Sequence, residues 1–488
     1  MNMQKQAIDK PRLNIIILAA GLGTRMNSQL PKVLHQIGGK ALLEHVIDAA
    51  ISLCPASIVI VHGSGGDLVH SYIDQKYPSN NFVWAKQEQQ LGTGDALHAG
   101  IKSLLVDSNS DLSTSVESLN DTKTLILYGD VPLLKTQTLH QMSELYDNDV
   151  VMLTTNVDNP YGYGRILREH ETQKILGICE EADATAKQRL ISEINSGIYL
   201  INTKYLLQWL QVMKPHQIDK NGAIKIEYYL TDIIEWAVNK AISVSAVVLS
   251  DELEVSGVNN KLQLQQLERY YQKNQAQQLM QHGVTLADDS RIDVRGGLTA
   301  GKDCYIDVNC VFSGKVVLGN NVTIAAGCII TDSVIADNVE IKPYSVIEGA
   351  SIASGCKIGP FARVRVGSSF AENVHIGNFV EVKNTSIGIG SKANHLTYVG
   401  DSQIGSKVNI GAGSVTCNYD GINKWKTVIE DNAFIGSGTM MVAPVKISQG
   451  SVIGAGSTIT KDTEANELTV ARSKQVTVFG WLRRKNNK

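Results

Sequence analysis

The chain has 488 residues, 43% hydrophobic and 19% charged, with a formal net charge of −3. It is too long for one core and too ordinary in composition for a disordered, collagen-like or disulfide-dense protein, and its charge gives no reason to expect nucleic acid or an anionic membrane as partner. Seven cysteines without a Cys-x-x-Cys pair read as reduced thiols of a cytoplasmic protein, and no apolar run is long enough to cross a membrane.

In chain order, the apolar run 15–20 is too short for a signal-peptide core and is followed at once by glycine and charge, so it reads as a buried strand. Short β-branched runs at 57–61, 124–127, 150–154 and 198–201 read as further strands, with helical patterns at 42–52 and 95–105. Strands alternating with helices predict an α/β layer with a mainly parallel sheet. The Ser-, Asp- and Asn-rich stretch 106–120 reads as a surface loop. Residues 261–281 lack Gly and Pro and are dense in Gln and Leu, which predicts one long connecting helix with Leu262, Leu267, Tyr270 and Tyr271 near one face.

Beyond residue 285 the grammar changes, and 24 of the 42 glycines fall in the last 198 residues. Ile429, Ile435, Met441, Ile447, Ile453 and Ile459 recur every six residues, as do Ile352, Ile358, Val364, Phe370, Ile376 and Val382, and Ile329, Ile335, Ile341 and Ile347. A period of six fits neither a helix nor simple alternation. It suits a parallel β-helix in which each short strand turns one aliphatic residue inward and a small residue permits the corner. The expected domains are 1–261, a linker helix at 262–282, and 283–488.

Two groups of residues exceed what such folds require. The first is Leu18-Ala-Ala-Gly-Leu-Gly-Thr-Arg25-Met, followed by Pro31-Lys32. Here Gly21 and Gly23 let backbone N–H groups approach phosphate, while Arg25 and Lys32 add charge. A dinucleotide fingerprint would need glycine where Met26 stands, and no Gly-Lys-Ser/Thr loop is present. The second group is polar and interrupts the hexapeptide coils: Arg363, Arg365, Lys383, His395, Tyr398 and Asn409.

The first motif resembles the sugar-phosphate nucleotidyltransferases. Together with the hexapeptide half, nearly the whole chain resembles the bacterial bifunctional N-acetylglucosamine-1-phosphate uridyltransferase/glucosamine-1-phosphate N-acetyltransferases, the exceptions being about a dozen N-terminal residues and the stretch 106–120. The resemblance implies a Rossmann-like nucleotidyltransferase domain followed by a left-handed parallel β-helix. It implies that Leu18, Ala19, Ala20 and Gly21 cradle UTP, that Arg25 and Lys32 stabilise the phosphates, and that Gln87, Gly92 and Thr93 read the uracil. Tyr128, Gly129 and Asp130, which end a predicted strand, would bind the nucleotide and sugar, with Gly164, Glu180 and Asn195 lining the sugar pocket. Asp130 and Asn259 would hold Mg2+.

At the acyl-transfer end the resemblance implies His395 as general base, able to take a proton from the 2-amino group as it attacks the thioester. Arg365 and Lys383 would clamp the 1-phosphate, Tyr398 and Asn409 the sugar hydroxyls, and Lys424 matches a further acetyltransferase position. Ala412, Asn418, Tyr419, Ser437, Ala455 and Arg472 would contact acetyl-CoA across the neighbouring prism of a homotrimer. Val366 departs from the proline the family often has after this arginine. A carboxylate or backbone carbonyl is expected to hold the tautomer of His395. Cys417, close by, has no base paired with it in sequence and is given no role.

Two other readings fit parts of the sequence. One is a single-activity nucleotidyltransferase with a regulatory β-helix, as in glucose-1-phosphate adenylyltransferases. The other is a non-catalytic trimeric scaffold.

Overall fold

The computed structural model describes residues 12–481 except 22, 64, 108–118, 146 and 221–222. By internal contacts the chain divides into two compact units, Met1–Tyr271 and Gln272–Lys488.

Apolar runs buried on both faces can satisfy their backbone only by pairing with one another, and in the first unit they do so in one sheet. Its order is Val244–Leu249, Val150–Asn156, Glu193–Asn202, Thr122–Tyr128, Arg12–Leu18, Ser57–His62, Val83–Lys86. All neighbours are parallel except Glu193–Asn202, which runs antiparallel to both of its own. Alternate residues of the central strand face two separate cores. Ile15 and Ile17 pack with Leu43, Val46 and Ile47 of helix Leu42–Ile51, whereas Ile16 and Leu18 pack with Leu97 and Ile101 of helix Thr93–Asp107. Residues 108–118 of the expected surface loop lie outside the described residues, and its first two residues end that second helix.

From Arg12–Leu18 the chain moves outward on one side through Ser57–His62 to Val83–Lys86, then crosses to Thr122–Tyr128 on the other. The carboxyl ends of Leu18 and Tyr128, register partners, therefore flank a topological switch point, where open α/β sheets leave a crevice.

Helix Lys261–Gln281 occurs as expected, but Leu262 is exposed on it. Leu264, Leu267 and Tyr271 pack instead on Met26, Ile37, Leu42 and Val258, because residues three and four apart share a face and Leu262 lies off it. The division between units falls inside this helix rather than at its ends. Its later residues Ala276 and Leu279 belong to the second core, and Gln272 exchanges two hydrogen bonds with the backbone of Val294, at 2.7 and 2.9 Å.

The second unit is a left-handed parallel β-helix. All its strands pair in parallel, with an 11-stranded face and a 17-stranded path winding over the other two. Ile324, Ile341, Ile358, Ile376, Ala393, Ile410, Ile435 and Ile453 stack in register, so one coil is three hexapeptides, in most coils less one residue. The long step from Ile410 to Ile435 accommodates a projecting hairpin around Asn418–Trp425. Small buried residues occupy the corners, which explains four of the cysteines. Cys304, Cys310, Cys328 and Cys356 are buried free thiols. Among the described residues no helix is long and apolar enough to cross a membrane.

Candidate active sites

In the first unit the crevice at the switch point is a cavity of about 620 Å³. Leu18, Ala19, Ala20, Gly21, Lys32, Gln87, Gly92, Thr93, Tyr128 and Asp130 line it, which brings together ten of the residues singled out in the sequence. Backbone bonds set the walls. Ala19 N–H donates to Val61 O at 2.8 Å and Gly129 N–H to Leu18 O at 2.9 Å. Gly23 sits at φ +59°, and a Cβ there would lie 2.7 Å from Lys32 Cβ, so glycine lets the turn close on the lysine. Met26, where a dinucleotide fold would need glycine, is instead buried as the anchor of this loop.

Gln87 is buried and donates to Gly92 O at 3.0 Å and to Asp95 Oδ2 at 2.8 Å. Thr93 Oγ1 accepts from Leu230 N–H at 3.1 Å. A second group adjoins Tyr128. Asn195 N–H donates to Gly164 O at 2.9 Å, Asn195 Oδ1 accepts from the Tyr199 hydroxyl at 2.9 Å, and Thr231 donates to Glu180 Oε1 at 2.8 Å. Burial pushes the Glu180 carboxyl above its ordinary value and holds the Tyr128 phenol protonated well beyond its own.

Asn259 reaches this site because Val258 N–H donates to Asp130 O at 2.9 Å. Lys32 Nζ is ion-paired with Asp130 Oδ2 and lies 3.4 Å from Asn259 Oδ1, which also accepts from Arg25 Nη2 at 3.0 Å. Two oxygen donors, one carboxylate and one amide, thus converge on the Lys32 ammonium, with the Arg25 guanidinium on the amide as well. Those two oxygens are a donor set a hard divalent ion accepts.

In the second unit His395 is exposed at the end of strand Lys392–His395, and its Nδ1 lies 2.7 Å from Asn378 Oδ1. The partner is a side-chain amide, not the carboxylate or backbone carbonyl expected. It stands one coil away in register, because strand pairing continues to these two residues. With the amide oxygen accepting from Nδ1–H, Nε2 is left as the basic nitrogen.

Leu396, at φ +51°, turns the corner between His395 and Tyr398. Arg365 and Lys383 follow in successive coils, with Arg365 N–H donating to Val382 O at 2.8 Å. Arg365 Nη1 pairs with Glu381 at 2.9 Å and Lys383 Nζ with Asp401 at 3.8 Å. Burial alone would raise the Asp401 carboxyl, but the amides of Asn384 and Asn418 and the Lys383 ammonium outweigh it and hold the group below its usual range. Arg363 is engaged elsewhere, with Glu348 at 3.3 Å.

Asn409 lies on the strand next to that of His395. The register carries His395 onto Ala412, Ser437 and Ala455 in successive coils, flanked by glycines at 411, 413, 436, 438, 454 and 456. Arg472 Nη1 donates to Ala455 O at 2.5 Å. A track of small residues therefore runs from the imidazole to a guanidinium. Asn418 is bonded to Asp401, and Tyr419 is exposed on the hairpin, where it bridges to Lys424. Burial raises the Cys417 thiol, in keeping with no nucleophilic role.

Three family models match the chain. The MobA-like NTP transferase domain covers residues 15–192, the GMPPB C-terminal domain 294–392, and the bacterial transferase hexapeptide (six repeats) 426–461. The bifunctional protein GlmU of Herminiimonas arsenicoxydans is 49% identical over 96% of this chain and 99% of its own. That of Chromobacterium violaceum is 49% identical over 96% and 98%, and that of Marinobacter nauticus 48% over 97% and 99%. The chain belongs to the GlmU family. As a GlmU-family protein it is an enzyme with two activities, nucleotidyl transfer in the first unit and hexapeptide-type acyl transfer in the second.

Two features of these sites went unassigned in the sequence. The hairpin His216–Lys220/Ala223–Glu227 brings Lys225, Ile226 and Glu227 to the cavity wall, and its alternation of charge with isoleucine is only a generic strand signal. Asn378 was findable, since it precedes His395 by 17 residues, the coil period of this stretch.

Proposed function

We propose that the second unit acetylates glucosamine 1-phosphate with acetyl-CoA, and that the first unit then transfers the uridylyl group of UTP to the product, giving UDP-N-acetylglucosamine and pyrophosphate. The observation that carries the acyl-transfer half is the single column from Asn378 through His395 and the small residues to Arg472.

In this reading the extended pantetheine arm lies along Ala412, Ser437 and Ala455, where no side chain obstructs it. Arg472 faces the coenzyme's phosphates, and Asn418 and Tyr419 flank it. His395 Nε2 takes the proton of the 2-amino group as it attacks the thioester carbonyl, and Asn378 keeps that nitrogen basic. Arg365 and Lys383 hold the 1-phosphate, and Tyr398 and Asn409 the sugar hydroxyls.

In the first unit, backbone N–H groups from Leu18 to Gly21, with Arg25 and Lys32, neutralise the triphosphate. Gln87, Gly92 and Thr93 face the base. Tyr128, Gly129, Gly164, Glu180 and Asn195 shape the sugar pocket. The 1-phosphate oxygen attacks the α-phosphorus and pyrophosphate leaves, so orientation and charge neutralisation carry the step without an enzyme nucleophile. Mg2+, when held by Asp130 and Asn259, supplies further neutralisation of phosphate charge. The chain acts in the cytoplasm as a homotrimer, and its product feeds peptidoglycan and lipopolysaccharide synthesis.

The test is to supply glucosamine 1-phosphate and acetyl-CoA, follow thiol release, and then add UTP, TTP or ATP and follow pyrophosphate. The proposal expects thiol release and a preference for UTP. Pyrophosphate release without any acetyl-CoA consumption would sink the acyl-transfer half.

A further inference from the structure

We propose that Lys32 is a resident cation that occupies the Asp130–Asn259 pair until nucleotide phosphate draws it away, so that divalent metal and nucleotide enter the first unit's site together. This rests on the reading of Asp130 and Asn259 as the metal's residues and adds an order to it.

Both oxygens are already engaged. Lys32 Nζ is paired with Asp130 Oδ2 and lies 3.4 Å from Asn259 Oδ1, and Arg25 Nη2 is 3.0 Å from the same Asn259 oxygen. The pair is largely withdrawn from water, with side-chain exposures of 11% for Lys32 and 17% for Asp130. A divalent ion arriving alone must either share this space with an ammonium or displace it and leave it without a counter-charge in a poorly solvated site. Both courses are unfavourable.

A triphosphate changes the balance. The lysine's ammonium lies beside the phosphate-cradling turn, 3.8 Å from where a Cβ on Gly21 would be. A flexible four-carbon stem needs only to swing to exchange a carboxylate for phosphate oxygens in the same cavity. Asp130 is then open to the metal, and Asn259 Oδ1, which still accepts from Arg25 Nη2, offers the metal its second lone pair. Because coupling between ligands is reciprocal, the metal must tighten the nucleotide by the factor by which the nucleotide tightens the metal.

The test is a titration of the full chain with Mn2+, reading free Mn2+ by electron paramagnetic resonance without nucleotide. Lys32→Met removes the charge at similar length and is expected to bind Mn2+ at least about tenfold more tightly than wild type. Lys32→Arg keeps the charge and should stay weak, and adding Asp130→Asn to Lys32→Met should abolish the gain. An affinity of Lys32→Met within about twofold of wild type overturns the proposal. A second titration needs no variant. Saturating UDP-N-acetylglucosamine should tighten Mn2+ on the wild-type chain, and equal binding with and without it overturns the proposal alone. Absence of Mn2+ binding in both conditions overturns instead the assignment of Asp130 and Asn259 to the metal.

Discussion

Asn378 and His395 occupy equivalent positions on consecutive coils, and the amide oxygen of the first lies 2.7 Å from Nδ1 of the second. The β-helix thus orients an exposed imidazole by stacking, with no loop involved. Asn378→Ala removes the acceptor and is expected to lower kcat of acetyl transfer by about tenfold or more, whereas Asn378→Asp, which keeps an acceptor, retains most of it. Uridylyl transfer should be unchanged in both. Thiol-release kinetics check this, and equal loss in the two variants would contradict it.

Gly92 has φ +104°, and a Cβ on it would lie 2.6 Å from the Tyr228 carbonyl oxygen. Gly92→Ala therefore strains the segment between Gln87 and Thr93 by about 1–3 kcal/mol. The expected result is a raised KM for UTP with acetyl transfer intact, read by running both assays on one preparation.

Thr416 is a fully buried hydroxyl in an otherwise apolar stack, and its Oγ1 accepts from Gly400 N–H at 2.7 Å. Thr416→Val keeps the shape but strands that donor, which costs about 1–3 kcal/mol. Denaturant unfolding of the variant should show a lowered midpoint at unchanged slope.

Burial pushes the Cys328 thiol from 9.0 up to about 12 and the Cys356 thiol up to about 11. Their folded values are raised, so their contribution is complete below pH 9 and is lost as pH climbs from there toward 11 and 12, by about 1.4 kcal/mol per pH unit for each thiol. Cys328→Ala should flatten the alkaline fall of stability, as measured by unfolding between pH 8 and about 11. A variant falling as steeply as wild type would contradict this.

The β-helix was legible in the sequence because its core repeats: Ile324, Ile341 and Ile358 restate one environment, and the period survives any single substitution. The nucleotide loop was legible because Gly21, Gly23 and Lys32 lie close together in the chain. The antiparallel course of Glu193–Asn202 was not, since a strand buried on both faces has the same composition in either direction. Leu262 departs from the expected face because a helix dense in Gln and Leu marks its face only weakly. The meeting of Asn259 with Asp130 depends on a backbone bond from Val258, which no local pattern announces.

Two separate catalytic sites on one chain are told from a shared one by assaying both reactions on His395→Ala and Asp130→Ala. His395→Ala is expected to lose acetyl transfer and keep UTP-dependent pyrophosphate release, and Asp130→Ala to do the reverse. If each variant, still folded by circular dichroism, lost both reactions or kept both, the two sites would not be separate.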